Sequence, residues 1–352
     1  CRNFILPEIC KPCLFFFLRN LFYLIFKGKD GKVYRLPFDV LTFGLVYNKD
    51  MFKKYGIVDE NGEPTPPETL AEMREYAKRM TNEREQDYGI ILPIKWGGFV
   101  GTDVVSLMYA STGMSQYNCV EGKWDFSGLK PILEAYVGMI NDKSVFPGAE
   151  SLDNDMARAY FAERNIGMKF AGSYDVGVFN SQFKAKCDWG VAPIPVADAN
   201  NRYKQKMVAG GGYAVSRKTI ERIGDEATLA VLKFLYSDEL NKELYQSGMG
   251  LCFESALSEG IQPEEGLTGW KEFAELVEIS TGGYDTASCD ITGQKNVDQV
   301  ILEDIFTGNV SIDDAIADLN ARYNKGTEEY YKNNPDKDIN TTIKKDWNTR
   351  IQ

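Results

Sequence analysis

The sequence contains no histidine. That absence removes Ser-His-Asp and Cys-His nucleophile systems and the HExxH zinc motif. Any catalysis would have to rest on carboxylates, Lys, Tyr or Cys. Basic residues are also in deficit, with 40 Lys and Arg against 51 Asp and Glu, a formal charge of −11. A surface of that sign repels phosphate backbones, and no stretch has the basic density of a nucleic-acid footprint, so no nucleic acid partner is expected. Long apolar runs are missing too. Residues 14–26 are strongly apolar, but Arg19 and Asn20 interrupt them, and a membrane span needs about 20 residues.

Cysteine is sparse and unevenly placed. The seven are Cys1, Cys10, Cys13, Cys119, Cys187, Cys252 and Cys289. Cys10 and Cys13 have CxxC spacing without a second pair for zinc or a βαβ context for redox work. The others are expected to be small buried apolar groups. No metal and no cofactor are expected.

What is present fits a two-lobed globular protein. A chain of 352 residues has room for two separate cores. Hydrophobic residues at 43% and charged residues at 26% are ordinary for such a protein. Aromatics reach 12%, enough to furnish a core and leave some rings for a binding site.

Residues 1–27 read unlike the rest. They are taken as an atypical segment: a truncated or frame-disrupted stretch first, then a targeting remnant, then a core segment. Lys27-Gly28-Lys29-Asp30 supplies no small-residue cleavage site. From Gly28 onward the pattern is regular. Strands are predicted at 33–38, 43–47, 88–92, 166–170, 189–192 and 207–215 from their β-branched and aromatic content. Asn48 is placed to cap a helix through Tyr55, with Gly56 as its stop. Thr65 with Glu68, and Pro66 between them, reads as a capping box for a helix through Met80. Further helices are predicted at 102–112, 129–141, 155–163, 225–236, 239–246, 270–279, 297–306 and 311–323, with Ser311 and Asp314 as a second capping signature and Ser173 capping another. Strands alternate with helices, which argues for α/β. No Pro/Ser linker separates two consecutive domains, so two lobes imply more than one chain crossing.

Several motifs carry a family resemblance. The segments GKVYRLPFDVLTFGLVYNKD (31–50) and MFKKYG (51–56) are similar to the "GK.YG.P" and "YNKD.F...G" units of family 1 extracellular solute-binding proteins, the maltose- and oligosaccharide-binding group. PPETLAEM (66–73), AYFAERNIGM (159–168), GSYD (172–175), DWGVAPIP (188–195), GGGYAVS (210–216) and DAIA (314–317) resemble further units in the same order. The resemblance implies a Venus-flytrap fold of two α/β lobes with hinge crossovers. It assigns 28–40 and 213–284 to a first lobe, 41–212 and 285–352 to a second. Family members carry roughly a hundred residues ahead of the first motif, so the first lobe is expected to be incomplete.

The function this implies is capture of a mono- or oligosaccharide in an interlobe cleft and its delivery to ABC permease subunits. The protein would be extracytoplasmic, periplasmic or lipid-anchored, monomeric and not an enzyme. Sugars need planar rings for their apolar faces and fixed polar groups for their hydroxyls. Asp39 and Thr42 lie at the first crossover, where Asp39 is either a hydroxyl acceptor or a turn residue. Trp96, in a Gly-rich loop, is a candidate stacking platform. Tyr174 stands where the family often stacks a Trp, and Asp175 either contacts ligand or favours a helix N-terminus. Gly211 and Gly212 allow close backbone approach. Tyr213 is a ligand contact or a sheet residue, and Glu254 is transferred from a cleft loop of the family. The rival readings are a glycoside hydrolase with a carboxylate pair, which needs no histidine, and a non-transporting surface lectin or sensor protein.

Overall fold

The computed structural model describes residues 36, 37, 39–251 and 260–351. The chain divides into two compact units. The first holds Cys1–Thr42, Gly172–Gln182 and Met207–Gly283; the second holds Phe43–Ala171, Phe183–Lys206 and Tyr284–Gln352. Residues 172–182 thus group with the first unit, whereas the division drawn from the resemblance keeps them in the second lobe.

The second unit is built on a four-stranded sheet in the order Tyr88–Ile90, Ile166–Gly172, Phe43–Asn48, Trp189–Ala192. The first pair is parallel and the last antiparallel. The strand Ile166–Gly172 is buried at every position, as expected of a strand covered on both faces. Asn48 ends Phe43–Asn48 and caps the helix Lys49–Lys54 through its side chain, which accepts the Met51 N–H.

The next helix runs Leu70–Arg79, not from Pro66. Its capping box is Thr69 with Glu72. The reason is steric: a residue before proline is pushed out of the helical region, so Pro66, followed by Pro67, cannot open a helix. The helix Val105–Thr112 is preceded by a π-helical turn, Val100–Val104. Lys130–Asn141, Asn154–Glu163 and the long Ile312–Asn333 complete the helical layer.

Ser311 caps that last helix as expected. The helix continues past Tyr323 because nothing in 324–333 breaks it. Gly326 lets the helix press against the Asp290 backbone, whose N–H donates to the Gly326 carbonyl at 3.0 Å. Asn320 and Asn324 accept the N–H groups of Phe126 and Trp124, each at 2.9 Å. They fix a ring cluster in which Trp124 stacks on Phe126 and Tyr323 meets both edge-on.

The first unit pairs Leu36–Pro37 with Gly212–Tyr213 and Val40–Leu41 with Val208–Ala209, both antiparallel. Its helices are Arg217–Ile223, Asp225–Leu235, Asp238–Gln246 and Trp270–Glu275. Ser216 and Ser237 cap the first and third. The unit's core gathers Tyr245, Leu251, Trp270 and Phe273, and the Trp270 indole donates to the Tyr245 carbonyl at 2.7 Å. The helix Asp225–Leu235 buries only Thr228, and Val231 and Phe234 are exposed.

Candidate functional site

In the first unit the strand register brings Asp39 and Gly210 opposite each other, between the pairs Pro37↔Gly212 and Val40↔Ala209. The Gly210 N–H donates to the Asp39 carbonyl at 3.0 Å. Asp39 is 7% exposed, and among the described residues its Oδ1 has no hydrogen-bond partner. Burial pushes this carboxyl up to about 6, against the opposing pull of its own backbone N–H. A buried acceptor without a donor is costly, at about 1–3 kcal/mol. A hydroxyl donor brought by a ligand would offset that cost.

Thr42 and Asp175 are placed differently. The Thr42 hydroxyl donates to the Phe273 carbonyl at 2.8 Å, and its carbonyl accepts the Ser173 N–H at 2.9 Å. Asp175 is fully buried and its Oδ2 accepts the Gly172 N–H at 3.0 Å. The Thr42 backbone carbonyl and the Asp175 side chain therefore shape the turn that carries Tyr174, while the Thr42 hydroxyl ties the strand to Phe273. The helix expected after Ser173 is short, Asp175–Gly177, continued by a π-helical turn, and no side chain caps it. Asp175 takes the N–H of Gly172, ahead of the helix. So short a helix has little dipole to offer a ligand.

Tyr174 itself is 38% exposed. Its ring folds back over Gly172, where any side chain would collide with it. Tyr213 is 41% exposed; its N–H donates to the Tyr236 hydroxyl at 3.1 Å and the two rings meet edge-on. Gly212 pairs with Pro37, and Gly211 is exposed. Glu254 and Cys252 lie outside the described residues.

Trp96 belongs to the second unit. It is half-buried in a turn whose Trp96 N–H donates to the Pro93 carbonyl at 3.0 Å, and its ring lies over Gly98. The flanking glycine is thus what allows the ring to fold back, and the π-helical turn follows directly.

A second group of rings in that unit escaped the sequence reading. Tyr284 lies 6.1 Å from Tyr109 and 4.8 Å from Trp347, centroid to centroid. No local pattern links three residues so far apart in the chain. The unit also has a cavity of about 180 Å³ near Asn48, Lys54, Asn165 and Cys187. Its charged lining is already committed, Lys54 to Asp87 and Lys186 to Glu163. Burial pushes the Cys187 thiol up to about 11, which leaves it unreactive at neutral pH. Among the described residues there is no cluster fit for a metal ion, and no helix is long and apolar enough to cross a membrane.

The model of the family described as bacterial extracellular solute-binding protein matches residues 16–242. The chain belongs to that family. Among relatives of this solute-binding protein, a binding protein of Brucella abortus is 25% identical over 277 residues, 70% of this chain and 61% of its own length. The lactose-binding protein of Rhizobium radiobacter is 25% identical over 267 residues, 72% of this chain and 60% of that one. The chain therefore spans about three fifths of the length of these relatives. Solved structures agree on the fold. The GacH receptor of Streptomyces glaucescens, determined unliganded and with acarbose, matches with a TM-score of 0.62 at 16% identity, over 88% of this chain and 74% of that one. A Bacillus licheniformis sugar transporter protein in complex with stachyose gives 0.58 at 16% identity, over 86% and 76%.

Proposed function

We propose that this protein captures a mono- or oligosaccharide outside the cytoplasm and passes it unchanged to the permease subunits of an ABC importer. The observation that carries the reading is the family match across residues 16–242. Relatives named for lactose, for melibiose, raffinose and stachyose, and for maltotriose support a carbohydrate as the solute. The side chains fit that class. Asp39 offers an unpaired acceptor for a hydroxyl, and Tyr174, Tyr213 and Trp96 offer ring faces. Gly211 and Gly212 permit close backbone approach, while Thr42 and Asp175 act by holding the Tyr174 turn. Glu254 stays a candidate from the family pattern alone.

The cycle in this reading is thermodynamic. A solute favours whichever conformer binds it more tightly, by its differential affinity. A micromolar solute corresponds to about −8 kcal/mol, within reach of a few stacked rings and satisfied hydroxyls. A lipid-anchored or periplasmic location and a monomeric state belong to the same proposal.

A thermal-shift screen against mono- and oligosaccharides tests it, with analysis of each bound sugar for new reducing ends. The expected result is a concentration-dependent rise in melting temperature with the sugar recovered intact. Trp96→Ala and Tyr174→Ala should each weaken the response. New reducing ends would favour the hydrolase instead. Unchanged affinity in both variants would remove this site.

A further inference from the structure

The ring group of the second unit is held rigidly by its own backbone. The Tyr284 hydroxyl accepts the Ser115 N–H at 2.8 Å and donates to the Tyr117 carbonyl at 2.5 Å. The Trp347 indole donates to the Gly113 carbonyl at 2.8 Å. Tyr284 and Trp347 are half-buried and meet at 77°, while Tyr109 lies beneath, 3% exposed. Rings fixed in this way lose little freedom when a ligand lands on them.

Lys206 stands at one end of the group, its Nζ 6.0 Å from the Tyr109 centroid. Lys54, Lys130, Lys186 and Lys295 reach carboxylates. Among the described residues, the Lys206 ammonium makes no hydrogen bond or ion pair, although the side chain is half-buried. Burial lowers its pKa. A half-buried cation with only a ring face beside it carries a desolvation cost that an anion would relieve.

We propose that Tyr284, Trp347 and Tyr109 with Lys206 form a subsite for an acidic sugar residue, the half-buried Tyr284 and Trp347 rings receiving the pyranose and Lys206 its carboxylate. The assignment rests on the carbohydrate reading above and narrows it to solutes bearing a uronate. One lysine matches one carboxylate. A phosphate is matched better by the bidentate fork of an arginine or by several donors.

Calorimetric titration with trigalacturonate and with neutral galactotriose separates the possibilities, using the intact chain, Lys206→Gln and Lys206→Arg. The expected result is at least tenfold tighter binding of the acidic trimer, weakened by added salt. Lys206→Gln should abolish that preference, weakening the acidic trimer at least tenfold more than the neutral one, while Lys206→Arg retains it. Tyr284→Phe keeps the ring and loses the hydroxyl anchors, and should weaken both trimers alike. Equal or tighter binding of the neutral trimer, or an equal loss for both trimers in Lys206→Gln, overturns the subsite and leaves the carbohydrate reading standing. Failure of both trimers, together with a silent thermal screen, overturns the carbohydrate reading and the subsite with it.

Discussion

The Asp39 carboxylate occupies the space a side chain at Gly210 would need. Pairing of the two backbones and burial of Oδ1 both depend on glycine at that place. Gly210→Ala should therefore lower stability by about 1–3 kcal/mol, the usual cost of overpacking. Gly97→Ala, where an added methyl meets nothing within 4 Å, should be close to neutral. Denaturant unfolding of the two variants checks the contrast.

Asp39 also makes a pH prediction. Its carboxyl is raised to about 6 from 3.8 by burial. Between those values the folded chain holds a proton that the unfolded chain has released. Stability from this group therefore falls as pH rises through that window and stays low above it. Asp39→Asn should flatten this part of the stability profile and raise stability at pH 7 by about 1–3 kcal/mol. Melting curves from pH 4 to 8 read this directly, and a wild-type curve no steeper than the variant's would contradict it.

Asp87 behaves in the opposite sense. It is fully buried, and accepts from Lys54 and Tyr55 through Oδ2 and from Asn165 through Oδ1. Burial alone would raise its carboxyl, but the three hydrogen bonds outweigh it and hold the group below its usual range. Its contribution is present above the ordinary Asp value and lost as the solution is acidified below it. Asp87→Ala removes the shared acceptor, but Lys54 and Asn165 reach solvent and Lys54 keeps Glu85, so the cost should be about 1–3 kcal/mol. Chemical denaturation at neutral pH gives the figure.

The two threonines near the second helix provide a clean pair. Thr69→Ala removes the capping box and should cost about 1 kcal/mol. Thr65→Ala lies outside the helix and should fall within about 0.5 kcal/mol of the wild type. Equal losses would return the helix start to Pro66.

Legibility in the sequence followed the range of the interaction. Asn48 and Ser311 were readable as caps because each bonds an N–H three residues away. The Thr65 box failed on an equally local rule, the effect of Pro67 on Pro66, which the cap pattern concealed. Tyr174 and Trp96 were recognisable as rings beside glycines, yet nothing local says that those glycines are where the rings lie. The facing of Asp39 and Gly210 depends on a pairing between segments far apart in the chain, and no periodicity encodes it. Lys206 was equally hidden, since its isolation from carboxylates is a property of the folded unit.

The interleaving of the two units has a practical result. Each is assembled from three separate stretches of polypeptide, so no single cut in the gene releases either one whole. A deletion meant to isolate one half would instead strip strands or helices from both. During synthesis the second unit starts at Phe43 and waits for the stretch that begins at Tyr284, by which point every described part of the first has been made.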